Sequence, residues 1–176
     1  MLTTERLIIR PFLKSDYQDL YEYLSLSETY RFEPGKPISL NEAKKLCRER
    51  AKGTNFWAAT LKDSQKLIGH VSFFPLGPEF LLAWEIGDIF NPAFQNQGYA
   101  TEAVRAIIKY AFMEFGAHRI VGHCSPENPP SWKVLEKCGM RREGLLRKYF
   151  YVHKDKDGNP QWLDSYEYAI LDEDFK

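Results

Sequence analysis

The sequence lacks any apolar run approaching the ~20 residues that a membrane-crossing helix requires, and its opening, Met1 to Arg10, is charged and strand-like rather than a signal-peptide core. Both absences predict a soluble, cytoplasmic protein with no membrane partner. Cysteine is scarce. Cys47, Cys124 and Cys138 contain no C-x-x-C pair and are too few to staple 176 residues, which excludes a disulfide scaffold and predicts reduced thiols. A net charge is missing too: 24 Lys+Arg face 24 Asp+Glu, so no overall field draws the chain to nucleic acid. His70, His118, His123 and His153 show no H-x-x-x-H spacing, and no metal is expected. Internal repeats and low-complexity linkers are absent. What is present is a 44% apolar chain long enough to bury one core, and residues 1–176 are read as one domain.

Along the chain, Leu7 to Phe12 predicts a first strand, and Ser15 with Gln18 three residues later has the capping-box spacing that opens a helix. Ser39 and Glu42 repeat that spacing before Ala43 to Arg50, with Gly53 placed as a left-handed C-cap. Three aromatic-rich runs follow, Phe56 to Leu61, Leu67 to Phe74 and Phe80 to Phe90, and the short turns between them predict an antiparallel meander. From Tyr99 to Phe115, Ala103, Val104, Ile107, Ile108 and Ala111 recur at helical spacing, and Gly116 stands where the helix should end. Arg119 to Cys124 reads as a buried strand and Trp132 to Cys138 as a short helix closed by Gly139. Leu145 to Val152 and Trp162 to Leu171 read as a terminal hairpin. The expected fold is α/β (α+β): a mixed, mostly antiparallel sheet of about six to seven strands with helices on both faces.

The segment Asn91-Pro92-Ala93-Phe94-Gln95-Asn96-Gln97-Gly98-Tyr99-Ala100-Thr101-Glu102 takes the chain from a strand directly into the long helix. The first turn of that helix presents amides without intrahelical acceptors, and the small residues Gly98 and Ala100 allow close approach to the main chain. A pyrophosphate there would meet several N–H donors and the positive end of the helix dipole. The residues alone also allow the plainer reading, a glycine that only permits a tight turn. No Lys-Ser or Lys-Thr follows Gly98, which argues against a Walker loop, and Ala100 and Ala103 stand where a dinucleotide fingerprint wants glycine. The preceding strand offers an edge to an amide-bearing ligand arm.

Gln95-x-x-Gly98-x-Ala100 resembles the acetyl-CoA signature of the GNAT superfamily of N-acetyltransferases, Gln/Arg-x-x-Gly-x-Gly/Ala. Asn128 to Met140 resembles that superfamily's following Asn-x-x-Ser/Ala…Gly-Phe block, with Met140 in place of the phenylalanine. The opening Thr4 to Arg10, the run Glu143 to Arg147 and the closing Asp164 to Leu171 resemble the branch of ribosomal-protein alanine N-acetyltransferases. The resemblance implies an acyltransferase that moves an acetyl group from acetyl-CoA to a primary amine, a protein N-terminal α-amine or a small-molecule amine, by direct attack in a ternary complex. It implies that amides from Gln97 through Gly98, Tyr99 and Ala100 to Thr101 hold the pyrophosphate, flanked by Gln95 and Asn96. Ile89 and Phe90 would run beside the pantetheine. Asn128 matches the position that contacts the cofactor arm, and Ser131 lies near the expected thiol.

Such a reaction requires a neutral amine, a stabilised oxyanion and a departing thiolate. An α-amine with a pKa of about 8 is easier to deprotonate at neutral pH than a lysine near 10.4, by roughly 3 kcal/mol. Glu85 resembles the acidic strand position often used as the base, and as a bare residue reads equally as an exposed ion-pair partner. Many family members place a tyrosine acid seven residues after the asparagine; here that position is Leu135, which leaves Ser131 as the candidate acid. The missing hydroxyl keeps open a different class of function, an acyl-CoA-binding module with little turnover. Exposed strand edges or the aromatic hairpin could support a homodimer.

Overall fold

The turn at residues 62–66 is short enough that consecutive strands must lie antiparallel, and the meander follows from it. In the computed structural model, which describes residues 1–175, β3 (Phe56–Leu61), β4 (Leu67–Pro75) and β5 (Ala83–Phe90) form that meander at the centre of an eight-stranded sheet. β1 (Leu2–Thr3) and β2 (Leu7–Pro11) extend one side. β6 (Arg119–Cys124), β8 (Pro160–Leu171) and β7 (Arg141–Lys154) extend the other, giving the order β1-β2-β3-β4-β5-β6-β8-β7. One pair in the sheet, β5 with β6, is parallel, and α3 (Tyr99–Glu114) makes the crossover between them. The strand beyond the expected number is β1, a two-residue piece too short to carry a periodic signal.

Helices cover both faces. α1 (Tyr17–Leu24) and α2 (Leu40–Arg50) bury Leu20, Tyr23, Leu24 and Cys47 against Ala58 and Leu67 on one face. α3 and α4 (Pro129–Lys137) pack on the other. Val104, Ile107 and Ile108 of α3 are 0% exposed, and burying each contributes about 1.5–3 kcal/mol, so the N-terminus of α3 is anchored by its own core stripe. Gly116 and Gly139 close α3 and α4 with positive φ, as their positions suggest.

Some local signals are overridden. Ser39 and Glu42 do form the reciprocal capping box. Ser15 and Gln18 do not; Asp16 instead accepts from the Leu13 N–H at 2.7 Å and holds Arg10 through two hydrogen bonds, so a short 3-10 turn precedes α1. α2 ends at Arg50 with Ala51 as C-cap, and Gly53 is not left-handed. β5 begins at Ala83 rather than Phe80, because a 3-10 turn at Glu79–Leu81 ends with Leu82 at φ 45°. α4 begins at Pro129, three residues earlier than its apolar spacing indicates, since proline is well suited to a first helical turn. β7 begins at Arg141, ahead of its apolar stretch.

Beneath α1, the Tyr23 hydroxyl donates to Nδ1 of His70 at 2.7 Å, with both residues buried. Burial, with the nearby Arg50 charge, pushes the His70 pKa well below that of a free histidine, so the folded protein holds it neutral. The unfolded chain takes up that proton near pH 6.5, so stability is expected to fall as pH drops below about 6.5. Tyr23→Phe leaves Nδ1 without its donor and is expected to cost about 1–3 kcal/mol in urea denaturation at pH 7.5. A loss under about 0.3 kcal/mol would show that this hydrogen bond contributes nothing net.

Candidate active site

β5 and β6 pair only through Ala83 with Arg119, Trp84 with Ile120 and Glu85 with Val121. Beyond those three pairs β5 continues against β4 alone, from Gly87 with Ser72 to Phe90 with Gly69. β6 continues against β8 alone, from Gly122 with Tyr168 to Cys124 with Tyr166. The two parallel strands therefore part, and the facing edges of Ile89, Phe90 and the end of β6 lack ladder partners. A cavity of about 630 Å³ occupies this opening, lined by Ile89 and Phe90 from β5 and by the turn and first residues of α3.

The turn is built to bring backbone to the cavity. Asn91 accepts from the Ala93 N–H, and Pro92 begins a 3-10 turn that ends at Gln95. Gln95 donates from Nε2 to the Phe90 carbonyl at 3.0 Å, pinning the turn to the end of β5. Asn96 lies at φ 59° and Gly98, the N-cap of α3, at φ 84°, a left-handed conformation that glycine adopts without a Cβ penalty. Gln95, Asn96, Gly98, Tyr99, Ala100 and Thr101 all line the cavity. Gln97 does not; its side chain folds back to the Ala93 carbonyl. Arg6 braces the turn from outside, donating to the Gln97 carbonyl at 2.9 Å, lying 4.3 Å from the Tyr99 ring centroid and pairing with Glu102 at 2.7 Å.

The opposite wall belongs to α4. Asn128 is its N-cap residue but makes no side-chain cap bond, which leaves the carboxamide free toward the cavity it lines. Ser131 lines the same wall, and its hydroxyl hydrogen-bonds the Cys124 thiol. Lys133 and Lys137 add positive charge there. Leu135, where a tyrosine would supply an acid, is 4% exposed and packed in the core against Gly122. The three cysteines are free and buried, and burial pushes Cys124 up to about 11 and Cys138 up to about 12, so neither is a thiolate at neutral pH.

Glu85 is not a lining residue of this cavity. Alternation along β5 puts it on the opposite face from Asp88, where its carboxylate meets His123 Nδ1 at 2.8 Å while Glu167 meets Nε2 at 3.2 Å. The hydrogen bond from Glu85 is the largest influence on His123, raising its pKa despite the opposing effect of burial. The cavity instead receives two carboxyls not singled out above, Asp88 of β5 and Glu33 of the loop before α2. Burial holds Asp88 up at about 6, and burial together with the Asp88 charge holds Glu33 up at about 7. The alternation rule could have placed Asp88 on the face of Ile86 and Phe90. Nothing local marks Glu33, which sits in an irregular Pro/Gly segment.

A family model described as the acetyltransferase (GNAT) domain matches residues 6–141. The chain belongs to this family. A GNAT relative in Bacillus subtilis, the uncharacterized N-acetyltransferase YnaD, is 42% identical over 176 residues, covering 99% of this chain and 98% of the relative. The crystal structure of a GNAT acetyltransferase from Bacillus anthracis superposes with a TM-score of 0.88 at 36% identity, covering 98% of both chains. More distantly, the Escherichia coli [ribosomal protein uS5]-alanine N-acetyltransferase is 25% identical over 99% of this chain and 92% of its own length. The protein is thus a GNAT acyltransferase of the N-acetyltransferase type, a family that draws its acetyl group from acetyl-CoA. Among the described residues no helix is long and apolar enough to cross a membrane.

Proposed function

We propose that the cavity between β5 and β6 takes acetyl-CoA and that the chain, as one catalytic unit, transfers its acetyl group to a primary amine. The observation that carries this reading is the parting of the two parallel strands beside a left-handed Gly98. An amide-bearing arm can complete the sheet along Ile89 and Phe90 while the first-turn amides of α3 hold a pyrophosphate. A Cβ at Gly98 would project to 3.3 Å from Arg6 Nη2, so the space beside that glycine is tightly bounded. Asn128 is assigned to the cofactor arm. Ser131 is assigned to the departing thiolate, where its proton can follow the sulfur. A strand amide at Ile89 or Phe90 is assigned to the oxyanion.

The acceptor is assigned to the class of primary amines, protein N-terminal or small-molecule. Calorimetric titration with acetyl-CoA, with ATP and NAD as controls, is expected to give selective micromolar binding near −8 kcal/mol, followed by thiol release when an amine acceptor is added. Equal or absent binding of all three ligands would overturn the reading.

A further inference from the structure

We propose that Glu33 and Asp88 form an ammonium subsite: the pair receives the acceptor as a cation, takes its proton, and selects primary amines that carry no anionic group close to the nitrogen. This rests on the transferase reading above and names the acceptor class within it.

The argument starts from what these carboxyls lack. Both line the cavity where β5 and β6 have parted, yet among the described residues neither makes a hydrogen bond or an ion pair with any side chain. The contrast with the other acids is direct: Asp16 is held by Arg10, Glu102 by Arg6, Glu85 by His123. Two recessed acids that feel one another's charge and have no cation between them are an unfavourable arrangement unless a ligand supplies the cation.

Groups around the pair do not fill that role. Arg31, on the loop beside Glu33, lies 5.1 Å from the Phe32 ring centroid and shares that loop with Glu28. Lys133 and Lys137 stand on α4 with Glu127 before them and Glu136 between them. From β6 and the end of α4, Cys124 and Cys138 face the pair as neutral thiols. Glu85 is on the other face of the sheet with His123 and Glu167.

The chemistry balances over two protons. A bound ammonium gives one proton to a carboxylate of the pair, leaving a neutral amine whose lone pair forms the N–C bond at the thioester carbonyl. As the C–S bond breaks, its electron pair leaves with sulfur, and the second nitrogen proton passes to the thiolate through Ser131. The products are the amide and the thiol, with one proton returned from the pair to solvent. Because Glu33 and Asp88 titrate at about 7 and about 6, one of them is available as a base near neutral pH while the other can remain charged toward the cation. An acceptor with a carboxylate near its amine would set a third negative charge against the pair.

The test uses the full chain, 13C-labelled at aspartate and glutamate side chains, with Glu33→Gln and Asp88→Asn assigning the two carboxyl signals. In the free protein the midpoints are expected near 7 and 6. Pentylamine should lower both, because a bound cation favours the ionised carboxyls; 5-aminopentanoate should not. With acetyl-CoA present, kcat/KM for pentylamine is expected to exceed that for 5-aminopentanoate by about tenfold or more, narrowing to within about threefold in either variant. Both variants should bind acetyl-CoA within about threefold of the parent, since the pair faces the amine and not the pyrophosphate. Midpoints near 4, or midpoints that pentylamine does not move, would overturn the subsite while leaving the transferase reading intact. A parent chain that fails to bind acetyl-CoA overturns the transferase reading itself.

Discussion

Gly98→Val is expected to weaken acetyl-CoA binding by about 100-fold or more in calorimetry while the chain remains folded. Gly98 is at φ 84°, where a side chain costs about 1–2 kcal/mol and a β-branched one more. Its Cβ would project toward Arg6, which also holds the Gln97 carbonyl and stacks on Tyr99, so relief comes by displacing the turn that presents the amides. Affinity here depends on several N–H groups converging on one anion, and a displaced turn loses them together. Folding should survive because α3 is anchored by Ala103, Val104, Ile107, Ile108 and Ala111, none of which touches the turn's conformation. Gly98→Ala carries the backbone cost with less bulk and should fall between the two. A valine variant with a native far-UV spectrum and the parent's affinity would put the binding site elsewhere.

The largest stability effect is expected at Gly69, on β4 opposite Phe90. An added Cβ would sit 2.5 Å from Cδ1 of Phe90 and 2.8 Å from the Ile89 carbonyl oxygen, closer than such atoms approach. The Phe90 ring cannot swing aside freely, because it is 5% exposed and packed in the core that α3 covers. Overpacking typically costs about 1–3 kcal/mol, and a clash that includes backbone belongs at or above the top of that range. Gly69→Ala is therefore expected to cost about 3 kcal/mol in urea unfolding, and Gly69→Val more. Gly144→Ala is the control: nothing lies within 4 Å of its Cβ, and its effect should stay within about 0.5 kcal/mol. Equal losses at the two positions would sink the packing account. Since Ile89 and Phe90 also form the wall of the cavity, Gly69→Ala should weaken acetyl-CoA binding in the fraction that remains folded.

Local rules served where the chain's neighbours in sequence are also its neighbours in space. The Ser39–Glu42 box, the helical stripe of α3 and the left-handed Gly116 and Gly139 are of that kind. The Ser15–Gln18 spacing has the same form and was not realised, because Arg10 and Leu13 N–H gave Asp16 better partners. The turn from Gln95 to Thr101 was legible for a related reason: an anion site made of backbone amides needs only a glycine at one position and a helix after it. Gln97 is the exception, its side chain turned back on the preceding turn.

By itself, the sequence determined the run of strands and helices, the family, and the segment that meets the cofactor, all of which depend on residue type at short spacing. Only the tertiary structure decided which carboxylates share the cavity. On β5, Glu85 and Asp88 are equally acidic and three residues apart, but one meets His123 and Glu167 on one face and the other opens into the gap where β6 turns away. Where two parallel strands part is set by long-range packing of α3, α4 and β8, and Glu33 reaches the gap across 55 intervening residues of sequence order, from position 33 to position 88. Charge proximity of that kind has no local periodicity to announce it, since it is created when the chain closes on itself.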